Sequence, residues 1–138
     1  MSQHSGDTGV SPKTPWITRR MIRILLTEWG APAGLIDTAE LVASELATNA
    51  VRFGSIRSAG WSHVPAIGLA VWYLPRLVVI EVSDENEKPP EIQAAGAEAE
   101  GGRGLQLVQA MSREWSYYHP RLGWKTVYAV IGEMERAS

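Results

Sequence analysis

The sequence predicts a two-layer α/β sandwich in which an antiparallel or mixed sheet packs on helices. Three observations predict it. Two stretches near the start repeat their apolar residues at helical spacing, four later stretches rich in Val, Ile, Leu, Trp and Tyr fall into two hairpins, and a short apolar helix separates those hairpins. A chain of 138 residues supplies one core of ordinary size, so a single domain is expected.

Residues Met1 to Lys13 are rich in Ser, Gly, Asp and Pro and have little to bury. A disordered tail over 1–13 is expected, with the domain running over 14–138. Thr14-Pro15 offers an N-cap followed by proline at the first helical position. From there Ile17, Met21, Ile24, Leu25 and Trp29 recur at helical spacing until Gly30. Ala31 to Gly34 reads as a connector to a second helix, which starts at about Leu35 or Asp37 and ends at Phe53 with Gly54 as its C′ residue. Ser55 to Pro65 is polar and turn-like. Ala66 to Tyr73 and Leu77 to Asp84 then form a hairpin around Leu74-Pro75-Arg76. Asn86 to Gly101 is a long, Glu- and Ala-rich stretch without apolar period, and a loop of that length in a compact domain suggests a functional lid or disorder. Gly101, Gly102 and Gly104 precede a helix carrying Leu105, Leu107, Val108 and Met111. Glu114 to His119 and Thr126 to Ile131 make the second hairpin.

Composition narrows the function classes. A formal net charge of −2 provides no basic field to gather nucleic acid or an anionic membrane surface. With no cysteine there is no disulfide, thiolate metal site or Cys nucleophile. His4, His63 and His119 show no metal-ligand spacing. The first fifteen residues lack a signal-peptide apolar segment, and no run is long and apolar enough to span a bilayer. The expectation is a cytoplasmic protein without direct nucleic-acid or membrane contact. The six tryptophans are most cheaply explained as core or interface anchors.

Four features carry chemistry. In SELATNAVRFG, Ser44 to Gly54, the side chains of Glu45, Asn49 and Arg52 project from one stripe of an otherwise apolar helix. An Asn carbonyl oxygen suits a Mg²⁺ shell, and a neighbouring carboxylate can orient or deprotonate a nucleophile beside a phosphate. A self-satisfied polar network explains the same stripe. Asp84 ends an apolar strand, where its carboxylate can accept from an exocyclic amino group such as that of adenine, or can simply cap a turn. Glycines before Leu105 can bare backbone N–H groups to phosphate at a helix N-terminus, or can merely end a flexible lid. Thr126 on the last strand fits strand propensity alone. Taken in chain order, the four occur at separations able to surround one nucleotide.

At this point the chain resembles the Bergerat (GHKL) ATP-binding fold shared by gyrase, Hsp90, histidine kinases and MutL. Within that fold it is most similar to the small actinobacterial anti-sigma-factor serine kinases. The resemblance runs from about Trp16 to the end. It rests on SELATNAVRFG, on the VSD of Val82 to Asp84, on GGRGLQLV of Gly101 to Val108 and on GWKTVYA of Gly123 to Ala129. It implies ATP and Mg²⁺ as cofactors, Glu45 as general base and Asn49 as the Mg²⁺ ligand. Arg52 stands where histidine kinases commonly place a phosphate-touching Lys. Asp84 would read the adenine amino group with Thr126 supporting through water, and Gly102, Arg103, Gly104 and Leu105 would hold the phosphates. The implied reaction is γ-phosphoryl transfer to a serine or threonine of a STAS-type anti-sigma-factor antagonist, by a protein whose binding partner is that antagonist, a sigma factor or both. The resemblance adds a homodimer as an option.

Two departures stand out. Asn86 and Lys88 occupy the glycine positions of the superfamily's Asp-x-Gly-x-Gly box, and Phe53 replaces the usual His. The first leaves open a second function, a nucleotide-binding interaction module without transfer activity, and a third, a structural domain with a vestigial pocket. No phosphoaccepting helical hairpin and no transducer domain is expected, which argues against a sensor histidine kinase or a gyrase-like ATPase.

Overall fold

The computed structural model describes residues 2–9, 13–53, 66–90 and 100–132. Its elements run β1 (Ser2–Gly9), α1 (Thr14–Glu28), α2 (Ala33–Phe53), β2 (Ala66–Leu74), β3 (Leu77–Asp84), α3 (Glu100–Met111), β4 (Glu114–Tyr118) and β5 (Lys125–Gly132). The five strands form one sheet in the order β1-β2-β3-β5-β4, and every neighbouring pair is antiparallel. The predicted sandwich is therefore present, and among the described residues its sheet is purely antiparallel. The turn region 54–65, including Gly54, and most of the expected lid, 91–99, lie outside the described residues.

The tail expected over residues 1–13 is corrected in part: Ser2 to Gly9 pair with Tyr73 to Ala66 along their whole length. The strand is made by backbone pairing to the edge of β2, which polar and glycine residues permit as readily as apolar ones.

Helix α1 begins with proline in its first turn, as expected, but Lys13 holds the N-cap position and Thr14 is fully buried. The helix stops by a Schellman arrangement. Gly30, at φ 85°, donates its N–H to Thr27 O, and Ala31 N–H reaches Leu26 O. The chain then turns at once into α2. Arg23 of α1 bonds Asp37 and Glu40 of α2, at 2.6 and 2.5 Å, on the exposed side of the pair.

Helix α2 is the centre of the helical layer and packs on α1, α3, β2, β3 and β5. Its buried stripe is Ile36, Ala39, Val42, Ala43, Leu46, Ala47 and Ala50, and so many small side chains let its backbone lie close to the sheet. Leu41, off that stripe, is 37% exposed. On β3 the buried residues Val78, Ile80 and Val82 alternate with half-buried ones, and on β2 Ile67, Leu69 and Val71 do the same. The sheet thus has an inner face toward the helices and an outer face that, among the described residues, carries none. Trp16 departs from the anchor expectation: it is 54% exposed, with the Arg20 guanidinium 5.2 Å from its ring centre. The side chains of Trp61 and His63 lie outside the described residues.

Candidate functional site

Glu45 and Asn49 sit half-buried along the edge of the α2 stripe, and Arg52, one turn further, is exposed. The spacing that placed them on one stripe in the sequence holds in the structure, because α2 is unbroken from Ala33 to Phe53. What they face is decided by α3. Gly104 is buried against Glu45, so closely that a Cβ on Gly104 would lie 2.8 Å from Glu45 Oε2. Glycine at this position is what allows the carboxylate to occupy the seam between α2 and α3.

The glycine run is arranged differently from expectation. Helix α3 starts at Glu100, so Gly101, Gly102, Arg103 and Gly104 belong to its first turns and do not precede it. Only about the first four N–H groups of a helix lack an internal partner. Gly102 is among those at the open end, whereas the N–H groups of Gly104 and Leu105 fall beyond it. Leu105 is also a core residue, 1% exposed and clustered with Val108, Leu46 and Ile80. Its predicted place in a phosphate cradle is corrected: its side chain faces the hydrophobic core. The side chain of Arg103 lies outside the described residues.

Asp84 ends β3 on the inner face, 4% exposed. Its Oδ1 accepts the N–H of Asn86 at 3.0 Å, and Asn86 Oδ1 in turn accepts the N–H of Lys88 at 3.0 Å. These two consecutive Asx turns supply, with side-chain oxygens, the tight path that glycines give elsewhere. Burial pushes the Asp84 carboxyl above its ordinary value, against the opposing pull of the Lys125 ammonium and the Asn86 N–H.

Lys125 is the residue that sequence reasoning missed. Strand register pairs Asp84 with Lys125 and Ser83 with Thr126. Lys125 is 3% exposed, with Nζ 3.4 Å from Asp84 Oδ2, and it donates to Lys88 O at 3.0 Å. Thr126 consequently points to the outer face, where its hydroxyl lies 2.7 Å from Ser83 Oγ. There it lines a shallow outer-face pocket with Glu81, Tyr118 and Trp124. The expected support of Asp84 by Thr126 is corrected, because neighbouring residues on a strand face opposite sides. A period-2 count backward from the buried Val127, Ala129 and Ile131 is the signal that would have found Lys125.

The loop after Asp84 is tied to the β4–β5 turn. His119 Nε2 lies 2.9 Å from Glu87 O, and the Gly123 N–H donates to Glu87 Oε1. Together with the Lys125 contact this fixes residues 86–88 over the start of β5.

The profile of the histidine kinase-like ATPase domain matches residues 15–130. The chain belongs to this family. A search of curated proteins finds no match. Among solved structures, this family member is similar to the RsbU and RsbW domains of Rv1364c from Mycobacterium tuberculosis, with a TM-score of 0.68 and 18% identity over 99% of this chain. It spans 34% of the length of that chain. It is also similar to the SiaB-SiaC complex from Pseudomonas aeruginosa, with a TM-score of 0.68 and 15% identity, covering 93% of this chain and 88% of that one. Both share the fold seen here.

A histidine kinase-like ATPase domain implies ATP, and the residues present fit it. A glycine seam holds Glu45, an open helix end at α3 can meet phosphate, and a buried acceptor at the end of β3 can meet a base. Among the described residues no helix is long and apolar enough to cross a membrane, and no three His, Cys, Asp or Glu side chains cluster as a metal site.

Proposed function

We propose that the protein is an ATP-binding regulator that transfers the γ-phosphoryl group of Mg-ATP to a serine or threonine of a STAS-type anti-sigma-factor antagonist. In that partner-switching role it also binds the cognate sigma factor. The observation that carries the reading is the placement of Glu45 in the α2–α3 seam, four residues from Asn49 on the same stripe. A nucleotide-binding protein without chemistry needs Asn49 and Asp84 but has no use for a carboxylate held at that point.

In this reading Asn49 offers its amide oxygen to Mg²⁺, and the remaining ligands come from phosphate and water, as is usual for this ion. Glu45 takes the hydroxyl proton of the acceptor residue. Arg52 and the α3 N-terminus, with Gly102 and Arg103, neutralise phosphate charge, Gly104 leaves room for the Glu45 carboxylate, and Asp84 accepts from the adenine amino group. The similarity to RsbW domains and to the SiaB-SiaC complex supports a protein partner of the antagonist class.

A second reading, nucleotide-dependent docking without transfer, is favoured by one observation. The loop at the missing glycines is bonded to Lys125, Gly123 and His119, which reduces its freedom to reshape around phosphates. The two are separated by incubating Mg-ATP labelled at the γ-position with a STAS-type antagonist. Label on the antagonist is expected with wild type, with a loss of about a hundredfold or more in Glu45→Gln at unchanged ATP affinity. ATP binding with no label transferred in wild type establishes the docking reading.

A further inference from the structure

We infer that Lys125 is a second base-reading residue, donating to ring nitrogen N1 of a bound adenine while Asp84 accepts from the adjacent 6-amino group. The inference rests on the nucleotide-binding reading and names the groups that set its base specificity.

The pair is built for such a role. Asp84 and Lys125 are register partners on adjacent strands, both on the inner face, with Nζ and Oδ2 3.4 Å apart. An ammonium carries three protons. Among the described residues Lys88 O and Asp84 take two of them, which leaves one. The carbonyl of Lys88 fixes the ammonium independently of Asp84, so the donor stays in place when the carboxyl turns to a ligand. Acceptor beside donor is the complement of the adenine edge, where the amino donor adjoins the N1 acceptor. Turned the same way, hypoxanthine or guanine would set a carbonyl oxygen against the carboxyl and an N–H against the ammonium. With the two side chains 4% and 3% exposed, water has little access to repair either mismatch. Thr126, on the outer face beside Ser83, is not placed to take this part.

A plain buried ion pair closing the sheet end would show the same distances, so the test must read N1 itself. Affinities for Mg-ATP, for its 1-deaza analogue (N1 replaced by CH) and for inosine triphosphate are measured with wild type and with Lys125→Met. Wild type is expected to lose about tenfold to a hundredfold on 1-deaza-ATP, the range for a hydrogen bond to a charged group. In Lys125→Met that penalty is expected to fall to about twofold or less, with a matching narrowing of the gap between ATP and inosine triphosphate. If the single variant does not fold, Asp84→Asn/Lys125→Met, which buries no unpaired charge, carries the same comparison. An unchanged 1-deaza penalty in the Lys125 variants overturns the inference while leaving nucleotide binding intact. So does equal affinity of wild type for ATP and 1-deaza-ATP, which needs no variant. Absence of any ATP binding to wild type removes the nucleotide reading, and the inference with it.

Discussion

Gly104 is the residue on which the geometry of the site turns. A Cβ there collides with the end of the Glu45 carboxylate, while the Glu45 backbone oxygen lies at an ordinary contact distance of 3.8 Å, so the fold can accept Gly104→Ala by swinging Glu45 aside. Alanine also favours the α3 helix over glycine by about 1 kcal/mol. Gly104→Ala is therefore expected to melt at the same temperature as wild type or slightly higher, yet to transfer phosphoryl at least about tenfold more slowly, since the carboxylate proposed as general base has moved. Melting curves and transfer rates on one preparation check both halves; lower stability with unchanged transfer would show that Glu45 has no catalytic position to lose. Asp84 and Lys125 make the same point about scale. Neither residue type is informative alone, and their meaning comes from sharing the inner face at one register position.

Among the elements, the β2–β3 hairpin and the end of β5 are held by backbone conformations that few residues adopt. Arg76 follows Pro75 in a two-residue turn at φ 69°, and Gly132, opposite Leu77, sits at φ 113°, where an added Cβ would collide with the Arg76 carbonyl oxygen. Gly132→Ala combines a strained φ with a collision against backbone. A loss of about 2–3 kcal/mol is expected, seen as a lower urea midpoint at unchanged slope. A midpoint within experimental error of wild type would contradict that strain. The hairpins were legible in the sequence because β-branched and aromatic runs flank Pro75 and Gly123, and α1 and α2 because their apolar period ends at recognisable stops. Strand β1 was not, because SQHSGDTG has the composition of a tail and joins the sheet through its backbone. The start of α3 was not, because glycine normally ends helices. The shared helix stripe of Glu45 and Asn49 and the strand-ending position of Asp84 were legible from spacing. The role expected of Thr126 failed because a motif supplies residue type, whereas strand parity decides the face.

The described residues form a helical layer on one face of an antiparallel sheet, with Glu45 in the α2–α3 seam and Asp84 paired with Lys125 on the inner face where β3 ends and β5 begins. The proposed function asks that a nucleotide fit between the layers, and the most direct test is whether one binds. Calorimetric titration of ATP, with and without Mg²⁺, into wild type and Asn49→Ala measures this. Asn49 is half-buried on a helix where alanine is well tolerated, so the variant is expected to fold normally. Micromolar, Mg²⁺-dependent binding by wild type and at least about tenfold weaker binding by Asn49→Ala are the predicted results. No binding by wild type up to millimolar ATP, or equal affinity in the variant, would contradict the account.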